Sequence, residues 1–299
     1  MQPGQPKKKL GLIVNPLAGI GGRVGLKGSD GIDTVNKAFA LGAKMESPSR
    51  AVEAIKELSA SKAEFEIITY PAEMGEDEAK EGGFLPIVLG TIQSGHTTAE
   101  DTQRAANEIA DFGVDLLIFV GGDGTARDIY KAIGGNIPVL GIPAGVKIHS
   151  SVYAVNPRRG ADLIKLFLFG NAPTREMEVM DIDEDLFRHN QVSARLYGYL
   201  RVPFERRLVQ GAKAASSGTG GNLRRIASAV IDRMIDDYHY ILGPGTTVKA
   251  IGDILEIDKT LLGVDMVYKK QLIGKDLNET QLLELINGKK VKIVVTVIG

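Results

Sequence analysis

One carboxylate and one hydroxyl lie among three glycines in the part of this sequence best suited to chemistry. The apolar run Leu116–Val120 leads into the turn Gly121–Thr125, which reads GGDGT, and a polar, helix-like segment follows. Glycines let backbone N–H groups close on a phosphate, and the carboxylate of Asp123 can take a proton. The plain alternative is a tight strand-to-helix turn of the kind that many α/β proteins contain. The combination of residues in this context favours phosphoryl transfer over a simple binding fold.

A second glycine-rich stretch, Asn15–Gly25, looks at first like a dinucleotide-binding fingerprint. Gly19 and Gly21 fit the start of that fingerprint, but Val24 occupies its third glycine position, and no acidic residue ends a clear second strand. Nicotinamide-dependent hydride transfer is therefore poorly supported. We interpret the stretch as a second phosphate-facing loop, with a plain surface loop as the alternative.

Three further segments combine polar side chains with turns. In Thr97–Thr102, Thr98 is placed to cap a helix with Asp101 near the third helical position, and such a helix start can also hold an anion. Pro143–Ser151 carries Lys147, His149 and two hydroxyls, and is either a substrate-contacting loop or a solvated one. Gly243–Thr247 is either a turn or another phosphate cradle.

The first half of the chain alternates strand-like and helix-like runs, which predicts a parallel sheet covered on both faces. Ligands bind such sheets at the carboxyl ends of the strands, where the glycine-rich and polar clusters of this half all fall. The predicted strands are Leu10–Val14, Glu66–Thr69, Ile87–Leu89, Leu116–Val120 and Pro138–Ile142, and the predicted helices are Ala51–Leu58, Ala99–Ala110 and Ala126–Ile133.

The second half has a different pattern. Its middle alternates as antiparallel strands do, and its end combines helices with strands. The predicted strands are Glu176–Asp181, Val192–Tyr199, Leu208–Ala212 and Tyr238–Leu242; a loop is predicted at Ala214–Asn222 and helices at Leu223–Asp237 and Gln281–Ile286. The β-branched run Lys292–Ile298 is predicted to be a strand buried on both faces. The fold class is thus α/β: a parallel-sheet nucleotide-binding domain over residues 1–157, then a β-rich second domain with an α/β return segment over 158–299.

Composition narrows the function further. The 299 residues carry a net charge of −1, which gives no field favouring nucleic acid or an anionic membrane. The absence of cysteine excludes disulfides and thiol nucleophiles, the four histidines lack metal-ligand spacing, and no metal-binding residue is predicted. The sequence shows neither a signal peptide nor a transmembrane run, so we expect a cytoplasmic protein.

Several motifs together resemble the NAD kinase family, and most closely its AcoX-type branch. The resemblance covers most of the chain and is most specific in the first half; the matching segments are Ile13–Gly31, Thr97–Ala106, Gly121–Tyr130, Gly141–Pro157, Leu242–Thr247 and Lys259–Asp265. It implies phosphoryl transfer to the 2′-hydroxyl of the adenosine ribose of NAD(H), with ATP and Mg²⁺ or polyphosphate as donor. Asp123 would be the general base, the backbone of Gly122–Thr125 would hold the donor phosphates with Mg²⁺, and a homo-oligomer is expected by analogy.

The predicted site therefore has one catalytic residue, Asp123, and a set of nucleotide-binding residues: Asn15, Gly19, Gly21, Gly22, Thr97, Thr98, Gly121, Gly122, Gly124, Thr125, Gly145, Lys147, His149, Ser150, Gly245 and Thr246. One departure concerns the asparagine–glutamate pair that ordinary NAD kinases carry soon after the glycine-rich motif. In this chain Asn278-Glu279 comes only much later. The sequence therefore does not decide which molecule accepts the phosphoryl group. The alternatives are a kinase of a lipid, polyol or other nucleotide, and a non-catalytic nucleotide sensor; an activity assay separates them.

Overall fold

The computed structural model describes residues 7–24, 26, 32–144, 148–170, 172–182, 194–210, 220–261 and 263–296. The chain forms two compact units, the first comprising residues 1–20, 29–183 and 194–212 and the second comprising 21–28, 184–193 and 213–299. This division by contacts differs from the predicted one at residue 157. Residues 158–182 and 194–210 group with the first unit because their helix and strands pack on its helices and sheet.

The first unit is built on a parallel five-stranded sheet, which confirms the predicted fold class. Its spatial order is β3-β2-β1-β4-β5, with β1 (Lys8–Val14), β2 (Phe65–Thr69), β3 (Ile87–Val88), β4 (Leu116–Gly121) and β5 (Val139–Pro143). Every residue of β4 is buried, as expected for an apolar strand covered on both faces. The chain moves outward from β1 to β3 and then returns to place β4 on the other side of β1. The sheet therefore has its topological switch point between β1 and β4, where a ligand crevice is expected.

The helices between residues 20 and 169 are α1 (Ile20–Arg23), α2 (Ile32–Ala40), α3 (Ser47–Lys56), α4 (Glu76–Glu81), α5 (Ala99–Phe112), α6 (Asp123–Ile133) and α7 (Pro157–Phe169). Of these, α3, α5, α6 and α7 contact strands of the sheet. α3 contacts α4 and α7, whereas α5 contacts α6. The predicted cap of α5 is confirmed, since the Thr98 hydroxyl accepts from the Asp101 N–H and the Asp101 carboxylate accepts from the Thr98 N–H. α6 begins three residues earlier than predicted, which puts Asp123 in its first turn.

An antiparallel hairpin completes the first unit. β6 (Thr174–Ile182) pairs with β7 (Ala194–Pro203), with an irregularity between Val179 and Met180, and the hairpin packs on α6 and β5. A side chain at Gly198 would collide with the Tyr130 ring of α6, so this glycine permits the close packing. The predicted strand Leu208–Ala212 is wrong over its described residues: Val209 forms a single bridge with Ala154, and residues 211 and 212 lie outside the described part.

The second unit contains a mixed four-stranded sheet in the order β10-β9-β8-β11. Its strands are β8 (His239–Leu242), β9 (Asp265–Tyr268), β10 (Gln271–Gly274) and β11 (Val291–Val294), and its helices are α8 (Gly220–Ile231), α9 (Thr246–Ile254) and α10 (Glu279–Ile286). α8 begins inside the loop predicted at 214–222, of which residues 214–219 lie outside the described part, and ends six residues before the predicted Asp237. Among the described residues, no helix is long and apolar enough to cross a membrane.

The last strand, β11, is more exposed than predicted. β11 lies at the edge of its sheet, with β8 as its one neighbouring strand, and Ile293 and Val295 are 66% and 67% exposed. The expectation of a strand buried on both faces is therefore wrong for the residues described; residues 297–299 lie outside them. β-branched residues favour extended backbone in either setting, so their presence indicates a strand without indicating how deeply it is covered.

Candidate active site

The switch point of the parallel sheet brings two separated motifs into contact. Asn15 follows β1, and its backbone N–H donates to the Val120 carbonyl of β4 at 3.0 Å. The Asn15 side-chain amide donates to the Thr125 hydroxyl of α6 at 3.0 Å, while its own oxygen accepts from the Leu17 N–H. Asn15 thus joins the turn after β1 to the first turn of α6, across the crevice where ligands of such sheets bind.

Asp123 is buried beside this bridge, with 8% of its surface exposed. Its Oδ2 accepts from the His149 backbone N–H at 2.7 Å, and its Oδ1 accepts from the Ser150 N–H at 2.9 Å. The His149 ring also approaches, with Nδ1 3.1 Å from Oδ2. The loop that follows β5 therefore lies directly on the carboxylate of α6, and three of the predicted site residues form one hydrogen-bonded group.

Two residues that sequence reasoning missed or only partly used hold this group in place. Tyr153 is fully buried and donates its hydroxyl to the Gly122 carbonyl at 2.6 Å. Burial, together with the charges of Asp123 and Asp181, raises the Tyr153 pKa well above its usual value, so the hydroxyl keeps its proton and remains a donor. The Ser150 hydroxyl donates to the Met180 carbonyl at 2.7 Å and accepts from the Met180 N–H, which ties the loop to the hairpin.

The glycines of the motif have different surroundings. A side chain at Gly121 would collide with Thr125, so this position must remain glycine for the turn to close. At Gly122 an added Cβ would meet no described atom within 4 Å, and at Gly124 only the end of the Arg127 side chain at 3.7 Å. Among the described residues the start of α6 is therefore open, and the first N–H groups of a helix lack carbonyl partners within it. Such a start fits the phosphates of a nucleotide.

A charged contact beside the motif was also missed. Arg127 of α6 forms an ion pair with Asp181 of β6 at 2.6 Å, and its Nε lies 3.6 Å from the buried Asp128. Burial raises the Asp128 pKa despite Arg127 and Lys131 nearby. These contacts fasten α6 to the hairpin, and nothing in the local sequence pattern pairs residue 127 with residue 181.

The remaining predicted residues are more scattered. Gly19 has the left-handed backbone (φ 79°) that lets the chain turn from β1 into α1, and Gly21 and Gly22 belong to α1. Thr97 and Thr98 precede α5, where the Thr98 side chain serves as the cap. Gly145 and Lys147 lie outside the described residues. Gly245 and Thr246 belong to the second unit, where the Gly245 N–H donates to the Leu261 carbonyl and Thr246 opens α9.

A parallel sheet with a carboxylate and an open helix start at its switch point is typical of α/β proteins that bind nucleotides. Comparison with known families narrows this class to one family. The family described as the ATP-NAD kinase N-terminal domain matches residues 10–171, more than half of the sequence. The chain belongs to this NAD kinase family, which confirms the resemblance, and kinase-type phosphoryl transfer with nucleotide binding is the chemistry of the family.

Individual proteins that resemble this chain are named for different activities. A probable lipid kinase, YegS-like, of Citrobacter koseri is 38% identical over 77 residues, which are 24% of this chain and 26% of the relative. Among solved structures, a diacylglycerol kinase of Bacillus anthracis covers 60% of this chain and 44% of its own (20% identity, TM-score 0.29). A yeast NADH kinase complexed with NADH covers 64% and 44% (15% identity, TM-score 0.30). The chain spans only part of each of these proteins, and the structural similarities are too low to support an argument about substrate.

Proposed function

We propose that this protein transfers a phosphoryl group from ATP to the 2′-hydroxyl of the adenosine ribose of NAD(H), forming NADP(H). The observation that carries the proposal is the position of Asp123, a buried carboxylate at the open start of α6 and at the switch point of the sheet. Family membership supports the nucleotide acceptor. Polyphosphate is the alternative donor.

In this proposal Asp123 is the general base. A ribose hydroxyl is a weak nucleophile until its proton is removed, and a positioned carboxylate contributes about 10²–10⁴-fold to such a step. The backbone N–H groups at the start of α6, from Gly122 to Thr125, would hold the donor phosphates, as helix starts do for anions. Mg²⁺ would arrive with the phosphates and neutralise their charge. Asn15 keeps the two loops of this cradle together.

The deciding experiment incubates the purified chain with Mg-ATP and one acceptor at a time. We expect NADP or NADPH from NAD or NADH, with little transfer to diacylglycerol, polyols or other nucleotides. Phosphorylation of diacylglycerol in preference to NAD(H) would replace this proposal with a lipid kinase, the candidate favoured by the 77-residue match to the YegS-like protein. Nucleotide binding without any product would indicate a non-catalytic nucleotide sensor.

Asp123→Asn tests the role of the carboxylate. The amide cannot take a proton, so kcat should fall at least about 10²-fold while nucleotide affinity stays within a few-fold. Asp128→Asn is the matched control, because it makes the same change in a buried carboxylate of the same helix outside the proposed cradle, and it should keep near-normal turnover. Steady-state product formation and calorimetric titration give both quantities. Normal turnover in Asp123→Asn, or a loss explained entirely by lost binding, would contradict the assignment.

A further inference from the structure

Hydrogen-bond donors are distributed unequally between the two oxygens of Asp123. Oδ2 accepts from the backbone N–H of His149 at 2.7 Å and lies 3.1 Å from the ring Nδ1 of the same residue. Oδ1 accepts the Ser150 N–H at 2.9 Å. An ionised carboxylate has about four lone-pair positions, two on each oxygen. The described contacts therefore fill both positions of Oδ2 and one of the two on Oδ1.

From this asymmetry we infer that His149 is a positioning residue that makes Oδ1 the proton-accepting oxygen of Asp123. The inference rests on the proposed function and refines it to single atoms. When the acceptor hydroxyl loses its proton, the O–H bond breaks and the proton goes to Oδ1. The oxygen then bonds to the terminal phosphorus, and the bond from that phosphorus to the bridging oxygen breaks, with its electron pair leaving on the nucleoside diphosphate.

The chemistry of the contact fixes the form of the ring. An ionised carboxylate can only accept, so the Nδ1 that faces Oδ2 must carry a hydrogen. The Asp123 side chain is 8% exposed and that of His149 is 26% exposed, so the hydrogen bond is sheltered on the carboxylate side. A sheltered contact to a charged group is stronger than one in water.

Backbone and ring of His149 hold the same oxygen, and this explains how His149 would act through Asp123. A rotation of the carboxylate away from this orientation would have to break both contacts at once. With the carboxylate held, the position of Oδ1, the oxygen with one described donor, stays constant. Small errors in the direction of a reacting group are costly, since a misplacement of about 1 Å can reduce the rate about 10²-fold.

Kinetics separate positioning from simple nucleotide contact by His149. In His149→Ala we expect kcat to fall about 10- to 100-fold, with KM for both nucleotides within about threefold. His149→Asn should recover most of this loss, because its side-chain N–H can replace Nδ1–H. The control His239→Asn makes the same change in the second unit and should have no effect. Normal kcat in His149→Ala, a raised KM alone, or an Asn variant as slow as Ala would overturn the inference.

A second measurement needs no turnover. In protein labelled with ¹⁵N-histidine, two-bond ¹H–¹⁵N spectra report which ring nitrogen of each of the four histidines carries hydrogen. The resonance that disappears in His149→Asn should show hydrogen on Nδ1, and it should shift toward the Nε2–H form in Asp123→Asn. A His149 ring with bare Nδ1 in the wild-type protein would overturn the inference whatever the activity. Absence of phosphorylated product from every acceptor would instead count against the proposed function.

Discussion

Asp123 in the first unit and Asp265 in the second are both buried carboxylates, yet they have different partners. Asp265 is fully buried and accepts from the Lys259 ammonium at 2.9 Å, from the Thr260 N–H and hydroxyl, and from the Asp276 N–H. Lys259 is equally buried and also donates to the Thr260 and Gly263 carbonyls. Within the described residues, Asp123 has the His149 ring beside it, with Nδ1 3.1 Å from Oδ2, rather than a lysine or arginine.

The difference distinguishes a structural buried charge from one suited to chemistry. The charged side-chain atoms of Lys259 and Asp265 all have hydrogen-bond partners inside the second unit, and this pair joins the two sides of the turn between α9 and β9. Burial lowers the Lys259 pKa, an effect that outweighs the stabilising contact with Asp265. Asp123 is held by two backbone N–H groups and the His149 ring, and it lies in the first turn of a helix. A buried carboxylate that keeps an unused lone pair at the ligand edge of a sheet is suited to chemistry, whereas a completely paired one is suited to structure.

The largest expected effect on stability is at the paired site. Asp265→Ala leaves the Lys259 ammonium buried without its carboxylate and should destabilise the second unit by about 3–5 kcal/mol. Hydrogen exchange of peptides covering residues 259–276, followed through urea titration, measures this. Asp123→Ala is the comparison, and it should leave exchange in these peptides unchanged. Unaltered protection in Asp265→Ala would mean that the pair does not hold this turn.

A third buried carboxylate, Glu78 of α4, has weaker support than either. Its Oε2 is buried without a hydrogen-bond partner among the described residues. Burial, with smaller contributions from Asp77, Glu73 and Glu81, raises its pKa from 4.5 to about 7 although a backbone N–H hydrogen bond acts to lower it. The folded protein therefore binds a proton that the unfolded chain releases between about pH 4.5 and 7, so stability falls as pH rises through this window. The shift corresponds to at most about 3 kcal/mol.

Glu78→Gln tests this directly. The variant should be more stable than the wild type at pH 8 and should gain nothing at pH 4.5, as measured by urea unfolding at both values. Glu53→Gln of α3 is the matched control, since Glu53 and its partner Arg50 are both exposed, and it should show little change. Parallel pH profiles for the wild type and Glu78→Gln would show that Glu78 titrates normally.

The smallest expected effect is at the tyrosine beside Asp123. Tyr153→Phe removes the hydroxyl that donates to the Gly122 carbonyl, but that carbonyl still accepts from the Ala126 N–H. Because no acceptor is left unpaired, the loss should be about 1 kcal/mol, within the usual range for one hydrogen bond. Urea unfolding monitored by circular dichroism provides the value. A loss above about 3 kcal/mol would show that the hydroxyl organises the loop far more than this single contact implies.

Much of the first unit could be predicted from sequence because its patterns are local. Apolar runs such as Leu116–Val120 indicate strands covered on both faces, and the spacing of Thr98 and Asp101 indicates a helix start. The helix α7 was missed although Asn156-Pro157 carried its own start pattern, with the Asn156 side chain accepting from the Arg159 N–H. In the second unit the extended backbone of β11 was predictable, but its exposure was not, because exposure depends on which strands lie beside it.

The sequence by itself determined the parallel sheet, the edge at which its glycine-rich loops lie, and the glycine turn that carries Asp123, since each depends on neighbouring residues and on the periodicity of strands and helices. Only the tertiary structure decided that Asn15 bonds to Thr125, that His149 and Ser150 donate to Asp123, and that the Tyr153 hydroxyl donates to the Gly122 carbonyl. Each of these pairs joins segments at least 26 residues apart. Such contacts follow from strand order and loop course, which local propensity does not encode.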